Sequence, residues 1–288
     1  MFSNKNKKTL LITGAVIFSL GISGMTFADI YSKRKVAEEK ERLRLEEIER
    51  IKNEPIIGAK KESKQKHGYN AKDIETKLSN YDYDNNGEKI VFLTFDDGPS
   101  TTNTPEVLNI LKKHDVKATF FIKGSSLESE GADKILKRTF DEGHSIAHHS
   151  YSHDYSHLYP NRSLNLDNFV GELEKTDAVF KEVLGEKFST NVVRCPGGHM
   201  SWKNMDELDV YLDNNNMVSI DWNALNADAE GPKKDAEGLY NHAVKTSEGK
   251  EIVVLLMHDM YGKENTVNSL DKLINYYKEN GYSFKMLV

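Results

Sequence analysis

Seven apolar or β-branched runs alternate with helical patterns between Lys89 and Leu287, and this alternation constrains the fold more than any other feature. The runs are 89–95 (KIVFLTF), 118–123 (ATFFIK), 144–149, 192–194, 217–222, 252–257 (IVVLLM) and 283–287. Residues 104–114, 132–142, 166–184, 204–215, 234–245 and 267–279 read as helices. Asn103 or Thr104 serves as the cap of the first, and Gly143 closes the second. A strand that reaches the next strand through a helix returns parallel and right-handed, so an α/β domain with a parallel sheet is predicted. Alternation alone permits either a closed barrel or an open doubly wound sheet. No glycine-rich dinucleotide fingerprint follows the first strand, which removes the commonest reason to prefer the open sheet.

Upstream of residue 88 the texture differs. Lys5, Lys7 and Lys8 precede an uncharged run from Thr9 to Ala28. Twenty residues at helical rise reach about 30 Å, the thickness of a hydrocarbon core. The basic flank favours a cytoplasmic tail at 1–8, a transmembrane anchor at 9–30 and an exported remainder. A cleaved signal sequence is the rival reading, since Thr26-Phe27-Ala28 resembles a cleavage site. Residues 33–54 carry mixed charges at i, i+3 and i+4, the pattern of a solvated helix. Val36 and Leu43 are spaced as a heptad that does not persist, which favours a lone stalk helix over a coiled coil. Pro55 and Gly58 end it, and 59–87 reads as polar linker. The expected organisation is therefore a charged stalk and linker at 31–87 and a catalytic-sized domain at 88–288.

The net charge is −6, which argues against nucleic acid as the partner, because such a face should be strongly basic. Cys195 is the single cysteine, so no intramolecular disulfide or cysteine-rich zinc module is available. Any metal site must use histidine and carboxylates.

In a parallel α/β domain function gathers where strands end, and polar residues crowd those points here. The first strand runs into Asp96-Asp97-Gly98-Pro99. Adjacent carboxylates repel unless a cation or a shared proton relieves them, although an ordinary Asp-Gly turn is the competing reading. The third strand leads into a segment where His144, His148, His149, His153 and His157 account for half of the ten histidines. Imidazole is the commonest ligand for a zinc-like cation. Three pairs stand four apart, and spacing alone does not choose among them. Arg194-Cys195-Pro196-Gly197-Gly198 offers an arginine able to pair with a carboxylate, and glycines that let backbone N–H groups approach a ligand. Leu256-Met257-His258 places a histidine at the end of an apolar strand, where a structural role competes with a catalytic one.

These pieces, in this order, resemble the polysaccharide deacetylase family with the NodB-homology domain, carbohydrate esterase family four. The resemblance covers about residues 88–288 and is closest to membrane-anchored peptidoglycan N-acetylglucosamine deacetylases. It implies a distorted (β/α) barrel of seven or eight strands, preceded by the anchor and stalk. It implies that Asp96 is the catalytic base and Asp97 a metal ligand. The family context, a Gly-His opening the strand and a Ser-His closing the motif, selects His149 and His153 as the other ligands and leaves His144 structural. Arg194 is implied to orient Asp96, and the N–H of Gly197 to help hold the oxyanion. Asp228 is carried over as the partner of His258, the general acid, although Ala229 stands where the family commonly has tryptophan. Trp222 is implied to wall the sugar pocket and Leu256 to line the acetyl pocket.

The cofactor implied is a divalent metal, with zinc, cobalt and nickel all compatible with the ligands. The partner implied is an N-acetylated glycan, peptidoglycan foremost, with the membrane reached through the N-terminal segment. Chitooligosaccharide, poly-N-acetylglucosamine and acetylxylan are alternative substrates, and an inactive glycan-binding module is the alternative class. Cys195 is expected as a buried thiol without chemistry. His199, Trp202 and Tyr261 are expected either to touch glycan or to serve as loop packing.

Overall fold

The computed structural model describes residues 27–288. The chain divides into two compact units, and residues 54–288 form the second. The described part of the first unit is helix α1 (Phe27–Asn53). Its side chains over residues 31–50 are exposed and linked by ion pairs such as Arg34–Glu38 and Arg42–Glu46, each four residues apart, as the mixed-charge pattern predicted. The expected anchor at 9–30 lies, apart from its last residues, outside the described residues. Among the described residues no helix is long and apolar enough to cross a membrane.

The second unit contains β1 (Ile56–Ile57), α2 (Lys61–His67), β2 (Gly68–Tyr69), α3 (Ala71–Ser79), β3 (Ile90–Asp96), α4 (Asn103–His114) and β4 (Thr119–Ile122). It continues through α5 (Ala132–Asp141), β5 (Ser145–His148), α6 (Tyr155–Leu158), α7 (Leu166–Leu184), β6 (Phe188–Ser189) and β7 (Val192–Val193). Then follow α8 (Asp206–Asn214), β8 (Val218–Ser219), β9 (Ala224–Leu225), α9 (Ala236–Ser247), β10 (Ile252–His258), α10 (Glu264–Glu279) and β11 (Ser283–Leu287). Every strand pair is parallel, as the alternation required.

The expected linker at 59–87 is instead part of this unit. Strand β1 pairs with β6, and β2 pairs with β11. Ala71 and Ile74 of α3 are buried against Phe92 and Leu287 in one apolar cluster. Two-residue strands carry no readable period, and their apolar residues gain meaning only through partners far along the chain.

Side-chain alternation separates two cores. On β3 and β10, Val91, Leu93, Phe95, Val253, Leu255 and Met257 face the helices. Ile90, Phe92, Ile252 and Val254 point to the opposite face with Phe121, Ala147, Val192 and Ile220, and fill the inside of the curl. By the same period of two, Thr94, Asp96, Leu256 and His258 lie on that inner face above the apolar plug. Asp96 stands opposite His258 in the register.

The sheet is a parallel, curled half-barrel, so the distorted barrel that was expected is left open on one side. Its main series runs β9, β10, β3, β4, β5, β7, β8, and β8 and β9 do not pair. Both are two residues long, and the chain steps directly from one to the other through 220–223. Side chains take over the hydrogen bonds a closing ladder would make. Arg194 donates through Nε to the Ile220 carbonyl (3.0 Å) and through Nη2 to the Asp221 carbonyl (3.2 Å). The Asn223 side chain donates to the Ile252 carbonyl and accepts from the Val254 N–H, both at 2.8 Å.

Candidate active site

Strand β3 delivers Asp96 at its end, and β7 delivers Arg194 one residue beyond its own end. The Arg194 side chain is fully buried. Its Nη1 donates to Asp96 Oδ1 at 2.8 Å and to Thr94 Oγ1 at 2.7 Å. Its guanidinium lies 4.0 Å over the ring of Phe121 and 5.7 Å from the ring of Trp222. Four hydrogen bonds and an aromatic face satisfy the cation where water cannot, as a buried charge demands.

Asp97, His149 and His153 converge one layer above. Asp97 Oδ1 is 3.7 Å from His149 Nε2 and 3.6 Å from His153 Nε2, and the three ligand atoms lie within 4.8 Å of one another. These separations exceed a hydrogen bond, and ligands about 2.1 Å from a tetrahedral zinc stand roughly 3.4 Å apart. Asp97 Oδ1 is buried without a hydrogen-bond partner among the described residues, which leaves a carboxylate oxygen that a cation between it and the two imidazoles would satisfy. The donor set therefore fits a divalent ion.

Backbone and neighbours hold these ligands. Asp97 and His153 adopt left-handed conformations, at φ 70° and 58°, which polar residues such as Asp and His tolerate best. Ser126 Oγ donates to the Asp97 carbonyl at 2.9 Å. The Glu172 carboxylate accepts the N–H groups of Tyr151 and Ser152 at 3.1 and 3.0 Å, bracing the histidine loop. His149 Nδ1 donates to the Arg194 carbonyl at 2.8 Å, which leaves its Nε2 lone pair facing Asp97. Burial, helped by the neighbouring His149 and opposed by Asp97, keeps His153 below its ordinary pKa and thus available as a neutral ligand.

The other histidines of the cluster go elsewhere. His144 is buried, accepts the Ala118 N–H through Nδ1, and is pushed down to about 3 by burial and nearby cations. His148 points to the helix side and pairs with Asp177 at 3.1 Å. His157 Nδ1 lies 3.3 Å from the side-chain amide of Asn168.

His258, at the end of β10, completes the inner face. Its Nδ1 donates to Asp228 Oδ1 at 2.7 Å, and its Nε2 lies 3.9 Å from Asp97 Oδ2. Burial opposes the charged ring, but the hydrogen bond and charge of Asp228, with Asp96 and Asp97, raise it to about 9. Burial likewise opposes the Asp228 carboxylate, yet His258, Thr266 and Lys263 hold it below its usual range. Asp228 Oδ2 also accepts the backbone N–H of His258 at 2.9 Å, which fixes the carboxylate against the ring.

The remaining candidates divide between the surroundings of the site and plain packing. Gly197 and Gly198 have φ of 77° and 83°. A Cβ on Gly197 would stand 3.0 Å from Trp202 and 3.2 Å from the Tyr155 hydroxyl, and one on Gly198 would stand 3.0 Å from Trp222. Leu256 is buried two residues before His258 on the same face. The Trp202 indole stacks on Tyr159 at 4.1 Å and donates to the Pro196 carbonyl, so it is loop packing. His199 pairs with Asp209, and the half-exposed Tyr261 accepts the Thr101 N–H through its hydroxyl. Cys195 is fully buried and pushed up to about 12 by burial, an inert thiol.

Three participants escaped the sequence reading. Tyr155 packs its ring 5.1 Å from His153 and brings its hydroxyl beside Gly197. Thr94 ties Arg194 to the Leu255 carbonyl, which it reaches at 2.7 Å; a polar residue inside an apolar strand was its signal. Asp259 is buried beneath Gly98, accepts from Thr104 Oγ1, and is pushed up to about 7 by burial. Its signal was only the adjacency to His258.

A family profile described as polysaccharide deacetylase matches residues 83–209. A peptidoglycan-N-acetylglucosamine deacetylase of Bacillus cereus is 32% identical over 205 residues, which cover 68% of this chain and 68% of that protein. The solved structure of a Streptococcus mutans carbohydrate esterase family four enzyme superposes with a TM-score of 0.74 at 35% identity, over 81% of this chain and 98% of that one. The catalytic domain of a peptidoglycan N-acetylglucosamine deacetylase from Eubacterium rectale does so with a TM-score of 0.63 at 29% identity, over 72% and 91%. By sequence and by fold, the chain belongs to the polysaccharide deacetylase family, the NodB-homology hydrolases of carbohydrate esterase family four.

Proposed function

We propose that this chain hydrolyses the acetamide of N-acetylglucosamine residues in peptidoglycan with the help of a divalent cation, zinc foremost. The observation that carries the reading is the convergence of Asp97, His149 and His153, with Asp96 Oδ2 3.7 Å from His149 and His258 3.9 Å from Asp97. The similarity to peptidoglycan deacetylases of other bacteria supports the choice of glycan.

Asp97, His149 and His153 would hold the ion and leave positions open, as catalytic sites require. When bound, the ion would lower the pKa of a water and polarise the acetyl carbonyl. Asp96, oriented by Arg194, accepts the proton of the attacking water. The Gly197 N–H meets the charge that develops on the acetyl oxygen. His258 donates a proton to the departing amine, which leaves poorly without one. Asp228 keeps that proton on the ring. Leu256 faces the acetyl methyl, and Trp222 forms a wall for the sugar. The basic tail and the uncharged run at 9–28 support a further proposal, that the domain is exported and tethered at the cell membrane.

Acetate release is the direct test. Purified protein, stripped by chelator and reloaded with zinc, should release acetate from wall glycan faster than from poly-N-acetylglucosamine or acetylxylan. A preference for acetylxylan would overturn the substrate, and glycan binding without any release would favour the inactive module.

Asp228→Asn tests the acid. Loss of the carboxylate lowers the His258 pKa, so the protonated acid disappears at lower pH. The descending basic limb of kcat against pH should move down by about one unit or more, with kcat reduced about a hundredfold. An unmoved limb would remove Asp228 from the account.

A further inference from the structure

The loop from His149 to His153 is held in a strained shape. Ser150 and His153 both take left-handed conformations, each at φ 58°. Outside glycine that region is disfavoured, and it persists where the surroundings impose it. His149, at the start, has its ring tied to the Arg194 carbonyl. His153, at the far end, leaves the chain at the second of the two left-handed residues, so the direction of its ring follows from the loop.

The loop is gripped from two sides. After β4, the N–H groups of Gly124 and Ser125 donate to the carbonyls of Ser150 and Tyr151 at 3.0 and 2.9 Å. From α7, Glu172 accepts the N–H groups of Tyr151 (3.1 Å) and Ser152 (3.0 Å), both on Oε2. The next N–H, that of His153, goes to Ser150 Oγ at 3.0 Å. The first grip is main chain to main chain. The second depends on one side chain.

Glu172 is only 7% exposed, on a helix whose Phe169, Leu173 and Phe180 are packed into the cores. A carboxylate is costly to bury unless its oxygens are used. Here a single oxygen on a rigid helix fixes two successive peptide groups inside the span that separates two candidate ligands. Glu172 itself is not among the three groups that converge as ligands, so it acts on them through the backbone.

We propose that Glu172 is a positioning residue, which presets the loop so that His153 stands near Asp97 and His149 before any ion arrives, and so sets the affinity for a divalent cation. The proposal rests on the reading of Asp97, His149 and His153 as an ion site. A loop already ordered does not have to be ordered by the ion, and binding is tighter by that difference.

The test is a zinc titration of the full chain, stripped of metal, in competition with a chromogenic chelator. It reads affinity without turnover. Glu172→Ala should weaken zinc binding by about ten- to a hundredfold, the range typical of groups that orient metal ligands. Glu172→Asp keeps the charge but draws the carboxylate back from the two N–H groups, and should weaken binding by at least about tenfold. Glu172→Gln keeps a carbonyl oxygen at the same reach and removes the charge, and should stay within about threefold of the wild type. Melting of the metal-free proteins shows that each is folded at the temperature of the titration. Should the alanine variant fail to fold, the aspartate and glutamine variants decide. Alanine and aspartate variants that bind zinc as tightly as the wild type would overturn the proposal. So would a glutamine variant as weak as the aspartate one. A wild type that takes up no zinc would refute the ion site itself, and this role of Glu172 with it.

Discussion

Asp97→Ala should lower acetate release by at least about a thousandfold, because the proposed metal site would lose one of its three ligands. Zinc content, measured on the purified variant, should fall in parallel. The fold should survive. Asp97 Oδ1 has no hydrogen-bond partner among the described residues, so no buried donor is stranded by its loss. An alanine at φ 70° costs about 1–2 kcal/mol, which would lower the melting temperature by only a few degrees. Melting, metal analysis and acetate assays on one preparation separate the outcomes. Full activity in this variant would refute the metal role.

Arg194→Met should act on stability as much as on rate. The guanidinium is fully buried and bonded to Asp96, Thr94 and the carbonyls of Ile220 and Asp221. Methionine fills similar space but leaves the Asp96 carboxylate, almost fully buried, without its cation. Breaking a buried pair from one side costs about 3–5 kcal/mol. In a unit of this size that corresponds to a fall in melting temperature of roughly 10 °C, readable by calorimetry. Activity should fall with it, since Asp96, the proposed base, loses the Arg194 bond that orients it. A variant that melted like the wild type would show that the paired charges carry little of the structure.

Much of the domain was legible because its long elements carry strong periods. Residues 90–96 and 252–258 form the central pair of strands that their uninterrupted apolar runs suggested. The site was legible for a related reason: Asp96, Arg194 and His258 are polar where apolar strands end, and such placement costs too much to be idle. The stretch from 56 to 79 was not legible. Ile56–Ile57 and Gly68–Tyr69 are two-residue strands whose partners, Phe188–Ser189 and Met286–Leu287, lie far along the chain. The open side of the sheet was hidden as well, since no residue in 217–222 announces that its strand is cut to Val218–Ser219. Glu172 and Asp221 looked like ordinary acidic residues, because their work is to receive backbone N–H groups that only the folded chain presents.

The unpaired step from β8 to β9 divides the molecule mechanically. Asp96 and His258 sit on neighbouring strands joined along seven registered positions, a stiff frame that would keep the proposed base and acid at a constant spacing. Trp222 rides on the short stretch held by the side chains of Arg194 and Asn223, where opening disturbs few bonds and needs no global unfolding. On the proposed reading, a bulky or modified sugar pressing on that ring would meet a wall that can yield, while the reacting groups on the opposite side would not shift. Tolerance toward the shape of the strand and accuracy at the scissile bond would then belong to different parts of the same sheet.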